Sequence, residues 1–283
     1  MKIKQFIIVI FFLFVSIPNI FGENMINADS LYQLKIKDIP QEKWNMLSQK
    51  KIFFGHNSVG NNILTGIKHI LKEYPNIKIK IITTRHPDDF KEPILGHSWI
   101  GSNMEPISKT RAFENIIQGG LGGKVDIAVM KMCYVDITSK TKIKEVFFDY
   151  QQKLSKMEVL FPEIKFIHMT VPLTSKPEGI QFIVQKGKNI IKKIIGRPVF
   201  NYKDNINRNT MNDMYREAYD DNTSLFDLAL LESVENKKES VYIKNDIKIR
   251  TLTKKYTDDG GHLNIEGSKQ IAEQFLIFLA NLE

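Results

Sequence analysis

Three side chains in this 283-residue chain have the types and the spacing for nucleophilic chemistry: Ser58, Asp259 and His262. Ser58 lies in Phe53-Phe54-Gly55-His56-Asn57-Ser58-Val59-Gly60, after a short apolar run and before a helical stripe. Its hydroxyl would sit at the carboxyl edge of a strand, and its N–H would point out of a helix N-terminus. A serine alone is a weak nucleophile and needs a base within hydrogen-bond reach. Taken singly, Ser58 reads as a helix cap.

A second segment supplies the base. Tyr256-Thr257-Asp258-Asp259-Gly260-Gly261-His262-Leu263-Asn264 precedes the last helical stripe. Asp259 and His262 are three apart across two glycines, a turn that can lay a carboxylate on one imidazole nitrogen and fix the tautomer. The other nitrogen can then take a proton from a serine. Ser58 in a strand-end loop plus this pair makes a triad the better reading.

The elements that must position these residues alternate between strand and helix. Strands are expected at Lys51–Phe54, Lys78–Thr83, Val125–Lys131 and Ile164–Val171, and a last strand or short apolar segment at Ser224–Leu231. Helices are expected at Val59–Tyr74, Ile107–Gln118, Ile143–Leu160, Ile180–Ile195, Asn205–Tyr219 and Ile265–Leu282. Residues 84–106 lack periodicity and read as a long loop. Residues 232–255 read as an insert with a β-hairpin around Lys244-Asn245-Asp246. This alternation predicts a mainly parallel sheet covered on both faces, with ligands beyond the carboxyl ends of the strands.

At this point the chain resembles the SGNH (GDSL-type) hydrolase superfamily of esterases, lipases and carbohydrate deacetylases. Asp259-Gly260-Gly261-His262-Leu263-Asn264, followed by Glu266-Gly267, matches the family's closing block. Gly101-Ser102-Asn103 stands at the place of the second block, and the Arg208–Tyr219 helix leads into LFDLA as in the family. The similarity spans about residues 50–283. It implies a flavodoxin-like three-layer α/β/α sandwich, a Ser58-His262-Asp259 triad, and an oxyanion hole using the N–H groups of Ser58 and Gly101. It implies no cofactor and no metal.

The chain departs from the family in two places. His56 and Asn57 separate Gly55 from Ser58, where the family has Gly-Asp-Ser. The third block's asparagine is missing: the strand end reads Lys131-Met132-Cys133-Tyr134-Val135-Asp136. Tyr134 could donate through its hydroxyl, and Asn61 or Asn62 could reach in from the first helix. Losing one oxyanion donor typically costs about 10²–10³ in turnover.

His56, Asn57, His97 and Trp99 are candidates to line a substrate pocket, with loop anchoring as the alternative for both histidines. His69 and His168 read as structural, and Cys133 as a small buried hydrophobe. Gly119-Gly120-Leu121-Gly122-Gly123 precedes a strand and lacks the lysine-serine/threonine ending of a phosphate loop, so it reads as a turn. An α/β-hydrolase is disfavoured because His56 stands where the G-x-S-x-G elbow needs glycine.

Composition bounds the rest. With 42% hydrophobic and 25% charged residues, wholesale disorder is excluded, and the single Cys133 excludes an internal disulfide. Residues 1–22 read as a cleavable signal peptide: Lys2 and Lys4, an apolar run from Phe6 to Ile17, Pro18 and Gly22. Their removal leaves a single domain, 23–283, and lowers the formal charge from +8 to +6. The expected protein is secreted or periplasmic and without a stable membrane anchor. The basic run from Lys186 to Arg197 reads as a solvated helix face, and no nucleic-acid module is present. The expected activity is hydrolysis of O-acyl, for example O-acetyl, esters on a small molecule or polysaccharide. The alternative is a non-catalytic carbohydrate-binding protein on the same scaffold; lipid esters and thioesters rank lower.

Overall fold

The computed structural model describes residues 34–176, 202–219 and 224–282. Its centre is a six-stranded sheet: β1 Ile52–His56, β2 Ile81–Thr83, β3 Leu95–Trp99, β4 Ile127–Met130, β5 Lys165–Met169 and β6 Leu225–Phe226. The spatial order is β2-β3-β1-β4-β5-β6, and every neighbouring pair is parallel.

Parallel strands demand crossovers, and helices supply them. α1 Gln41–Ser48, α2 Ser58–Glu73 and α7 Ile265–Ala280 cover one face; α3 Pro106–Gln118, α4 Ile143–Leu160 and α5 Asn205–Tyr219 cover the other. The central strand shows why both faces are covered. Phe54 packs against Phe275 of α7 at 5.6 Å between ring centroids, while its neighbour Phe53 points the other way, 6.0 Å from Phe113 of α3. Period-2 alternation with apolar residues at both parities leaves neither face fit for water. Of the expected stripe, Val59, Ile63, Leu64, Ile67 and Ile70 are fully buried in α2, and Leu71 and Tyr74 are half-buried at its end. Burying each such side chain contributes about 1.5–3 kcal/mol.

The architecture is the α/β sandwich with a parallel sheet that the alternation predicts. One strand was not foreseen: β3 lies inside the stretch read as a long loop. Leu-Gly-His-Ser-Trp carries no alternation. It is a strand because β1 and β2 bond it from both sides. The Ser224–Leu231 segment divides, with β6 only two residues long and then α6 Leu228–Ser233, capped by Asp227 accepting the Leu230 N–H at 3.1 Å. The 232–255 insert holds two tight antiparallel pairs, β7 Val234–Glu235 with β8 Lys238–Glu239, and β9 Val241–Lys244 with β10 Ile247–Arg250. Both turns use left-handed pairs, Asn236-Lys237 and Asn245-Asp246. The helix expected at 180–195 and the leader at 1–22 lie outside the described residues. Among the described residues no helix is long and apolar enough to cross a membrane.

The sheet order locates the ligand crevice. After β1 the chain builds β2 and β3 on one side, then crosses to lay β4 on the other. Such a switch point opens a crevice beyond the carboxyl ends of the two strands, here β1 and β4.

Candidate active site

Ser58 and Cys133-Tyr134 flank that crevice, following β1 and β4 respectively. Asn57, in extended backbone, is the cap of α2, and Ser58 is its first helical residue. Ser58 is half-buried, and its hydroxyl lies 3.8 Å from Cys133 Sγ. It bonds no N–H of its own helix, so it does not cap.

The Asp259–His262 turn has the geometry the spacing predicts. Asp259 Oδ2 meets His262 Nδ1 at 2.7 Å, and Oδ1 accepts the N–H groups of Gly261 and His262 at 2.9 and 2.8 Å. Burial pushes the Asp259 carboxyl up, but these bonds and the adjacent imidazole outweigh it and hold it down at about 2. An ionised Asp259 only accepts, so His262 Nδ1 carries the hydrogen, and in the neutral ring Nε2 holds the lone pair. The Tyr134 hydroxyl lies 3.3 Å from Nε2. Burial, with Cys133 and Asp259 close by, pushes the Tyr134 phenol far up, so it keeps its proton and donates to Nε2.

Two buried clamps set the crevice walls. Asp136 and Lys109, both fully buried, pair at 2.6 Å. Asp136 also accepts the N–H of Cys133 at 2.6 Å and of Met104 at 2.9 Å, and Lys109 donates to Asn103 Oδ1 at 3.0 Å. One ion pair thus ties the loop after β3 to the loop after β4. Gly101 begins the first of these loops at φ +51, where a Cβ would lie 2.6 Å from the Lys109 backbone nitrogen, so only glycine fits. Ile100, just before it, gives its N–H to the His56 carbonyl at 3.1 Å and takes the Asn57 side-chain amide at 3.2 Å. Gly101 is therefore pinned next to the Ser58 loop. The second clamp is Arg208 of α5, which donates to the Tyr134 and Ile137 carbonyls at 2.9 and 3.1 Å and stands 5.8 Å from the Tyr134 ring centroid.

The residues expected in the site sort as follows. Asp259, His262 and Tyr134 form one hydrogen-bonded chain, and Ser58 faces Cys133, the residue before Tyr134. Ser58 and His262 are not hydrogen-bonded to each other; Ser58 contacts Cys133, and His262 contacts Tyr134. Asn62, one helical turn after Ser58, has a buried Oδ1 without a partner, while Asn61 is exposed. His56, Asn57 and His97, candidates to line a substrate pocket, are buried; His56 Nδ1 lies 2.8 Å from the Asn57 carbonyl oxygen, its Nε2 lies 3.0 Å from His97 Nδ1, and the Asn57 amide donates to the Ile100 carbonyl. Trp99 is 56% exposed at the end of β3, in register with His56. Sequence reasoning missed Lys109, Asp136 and Arg208. Each reads as an ordinary charge, and only their burial gives them away.

A scan against protein-family models found no match, and neither did a search of curated proteins. A search of solved structures found a Streptococcus pneumonia protein named for platelet activating factor, at TM-score 0.48 and 16% identity, covering 84% of this chain and 90% of that one. It also found a Salmonella ser. Paratyphi A lipopolysaccharide acetyltransferase periplasmic domain, at 0.44 and 11%, covering 79% and 80%. A G-D-S-L family lipolytic protein from Desulfitobacterium hafniense DCB-2 matched at 0.39 and 12%, covering 81% and 99%.

Proposed function

We propose that the chain is an exported serine esterase that cleaves O-acyl esters through Ser58, His262 and Asp259. The observation that carries this reading is the Asp259–His262–Tyr134 contact chain: Asp259 Oδ2 lies 2.7 Å from Nδ1, and the Tyr134 hydroxyl lies 3.3 Å from Nε2, which in the neutral ring is the acceptor. A general base needs that tautomer.

In the proposed reaction an ester carbonyl enters between β1 and β4. Its oxygen draws the Tyr134 hydroxyl away from Nε2. Ser58 rotates from Cys133 to hydrogen-bond Nε2 and attacks the carbonyl carbon. The new C–O bond forms as the serine proton passes to Nε2. The oxyanion takes hydrogen bonds from the Ser58 and Gly101 N–H groups and from Tyr134, which stands in for the absent asparagine. Collapse breaks the bond to the leaving alkoxide, which takes the proton from His262. Water then repeats the sequence on the acyl-serine and releases the acid.

The substrate class we propose is an O-acyl, for example O-acetyl, group on a polysaccharide outside the cytoplasm. The apolar leader at 1–22 and the exposed Trp99 beside the crevice favour it. Hydrolysis of p-nitrophenyl acetate by the wild type, abolished in Ser58→Ala, is the expected result. A wild type no faster than Ser58→Ala contradicts it. The contact between Ser58 and Cys133 in place of His262 favours a second reading, a non-catalytic carbohydrate-binding protein. That reading predicts binding of O-acetylated glycan without turnover.

A further inference from the structure

His56 and His97 stand behind Ser58 and take no part in the proton transfers proposed above. His56 ends β1 and His97 is the middle of β3, and both are buried. Their contacts form a chain. His56 Nδ1 lies 2.8 Å from the Asn57 carbonyl oxygen, His56 Nε2 3.0 Å from His97 Nδ1, and His97 Nε2 3.1 Å from Thr83 Oγ1.

With both rings neutral, the chain has one proton order. A carbonyl oxygen only accepts, so His56 Nδ1 carries the hydrogen. His56 Nε2 then has the lone pair, and His97 Nδ1 donates to it. His97 Nε2 is left as an acceptor, and the Thr83 hydroxyl donates. All three hydrogen bonds run the same way, so each polarises the next. Charging both rings would place two N–H groups face to face across the 3.0 Å contact between them. Burial holds His56 down at about 4, opposed by its bond to Asn57 and helped by His97 and Lys131; burial and Lys68 hold His97 down as well. The His56 ring packs against the backbone of Gly60. A Cβ on Gly60 would lie 2.3 Å from His56 Cβ and 2.8 Å from Nδ1.

The carbonyl at the end of this chain belongs to the Asn57–Ser58 peptide. That peptide is planar and trans, so its C=O and N–H point in opposite directions. The same carbonyl also accepts the Asn61 N–H at 3.1 Å, the first intrahelical bond of α2. A carbonyl held by these two donors turns the N–H of Ser58 away from them. As the first residue of α2, Ser58 keeps that N–H outside the intrahelical ladder. We infer that the Thr83–His97–His56 chain, acting beside that helical bond, fixes the Asn57–Ser58 peptide plane and so aims the Ser58 N–H as an oxyanion donor. His56 and His97 are then positioning residues, and the inference rests on the esterase reading for its consequence in turnover.

The test uses the full chain and two substitutions of His97. His97→Leu removes the donor to His56 Nε2. His97→Asn keeps it, because the amide nitrogen takes the place of Nδ1. Imidazole ¹⁵N spectra of the wild type at neutral pH should give the Nδ1–H tautomer on both rings. In His97→Leu the His56 ring should titrate at higher pH and the Ser58 amide resonance should move. Turnover of p-nitrophenyl acetate should fall about 10–10²-fold, with KM changed by less than about twofold. His97→Asn should restore turnover to within about threefold of wild type. An Nε2–H tautomer on His56, or a Leu variant with wild-type turnover and an unmoved Ser58 amide, overturns the inference. Should the wild type prove inert toward esters, the esterase reading falls. The tautomers and the Ser58 amide then still decide whether the chain sets the peptide.

Discussion

The Tyr134 hydroxyl sits 3.3 Å from His262 Nε2, on the one ring nitrogen that Asp259 leaves unprotonated. A phenol whose proton is fixed by burial thus occupies the place where the serine hydroxyl must arrive. The same group stands at the strand end that lacks the expected asparagine. Tyr134 therefore has two positions to serve in turn: donor to the resting base, and donor to the oxyanion.

Tyr134→Phe separates these roles. Loss of an oxyanion donor lowers turnover by about 10²–10³. Release of the base alone would raise it. The account predicts the fall in kcat, with thermal unfolding close to wild type. A variant as fast as wild type, or faster, makes Tyr134 only a cover over the base.

Asp259→Asn should keep the turn but reverse the tautomer, since an amide nitrogen can donate to Nδ1. Turnover should fall by about 10⁴, as expected when a triad carboxylate loses its charge. The wild-type carboxyl also gives a pH signature. Its folded pKa, about 2, lies below the ordinary value of about 3.9, so its stabilising contribution is complete above the ordinary value. It is lost as pH falls through about 2. Acid unfolding followed by circular dichroism should begin at lower pH in the wild type than in Asp259→Ala.

The Lys109–Asp136 pair should be costly to break by halves. Asp136→Ala leaves Lys109 charged and buried, and leaves the N–H groups of Cys133 and Met104 without an acceptor. Loss of one partner of such a pair costs about 3–5 kcal/mol. Lys109→Met with Asp136→Leu should recover much of that stability in denaturant titration but not the activity, because the two loops are no longer tied. Full activity in the double variant would reduce the pair to a packing element.

Gly60→Ala should be far worse than glycine-to-alanine within a helix usually is. Propensity alone favours alanine there by about 1 kcal/mol. The new methyl would instead meet the His56 ring, and overpacking of this kind costs about 1–3 kcal/mol. Denaturant midpoints decide the sign. A stabilised variant would mean that His56 moves freely.

Much of this was legible in the sequence, for local reasons. Ser58 and the Asp259–His262 turn carry short-range signals: a strand end, a helix start, two glycines. The hairpin at Asn245-Asp246 announces itself in the same way. β3 did not, because Leu95–Trp99 owes its conformation to partners on both sides rather than to its own alternation. Lys109 and Asp136 are 27 residues apart, and His56 and His97 are 41 apart. Nothing in either neighbourhood distinguishes a buried partner from a solvated charge or a pocket wall. His56 and His97 fit either a pocket wall or a loop anchor by sequence for that reason, and their burial sets them against the loop that carries Ser58.

The central claim is that Ser58 is a nucleophile activated by His262. Fluorophosphonate labelling of the folded protein, located by peptide mapping, tests it most directly. The account predicts a single adduct on Ser58, formed at least about 10²-fold more slowly in His262→Ala. An unlabelled wild type, or an adduct at the same rate without His262, contradicts it.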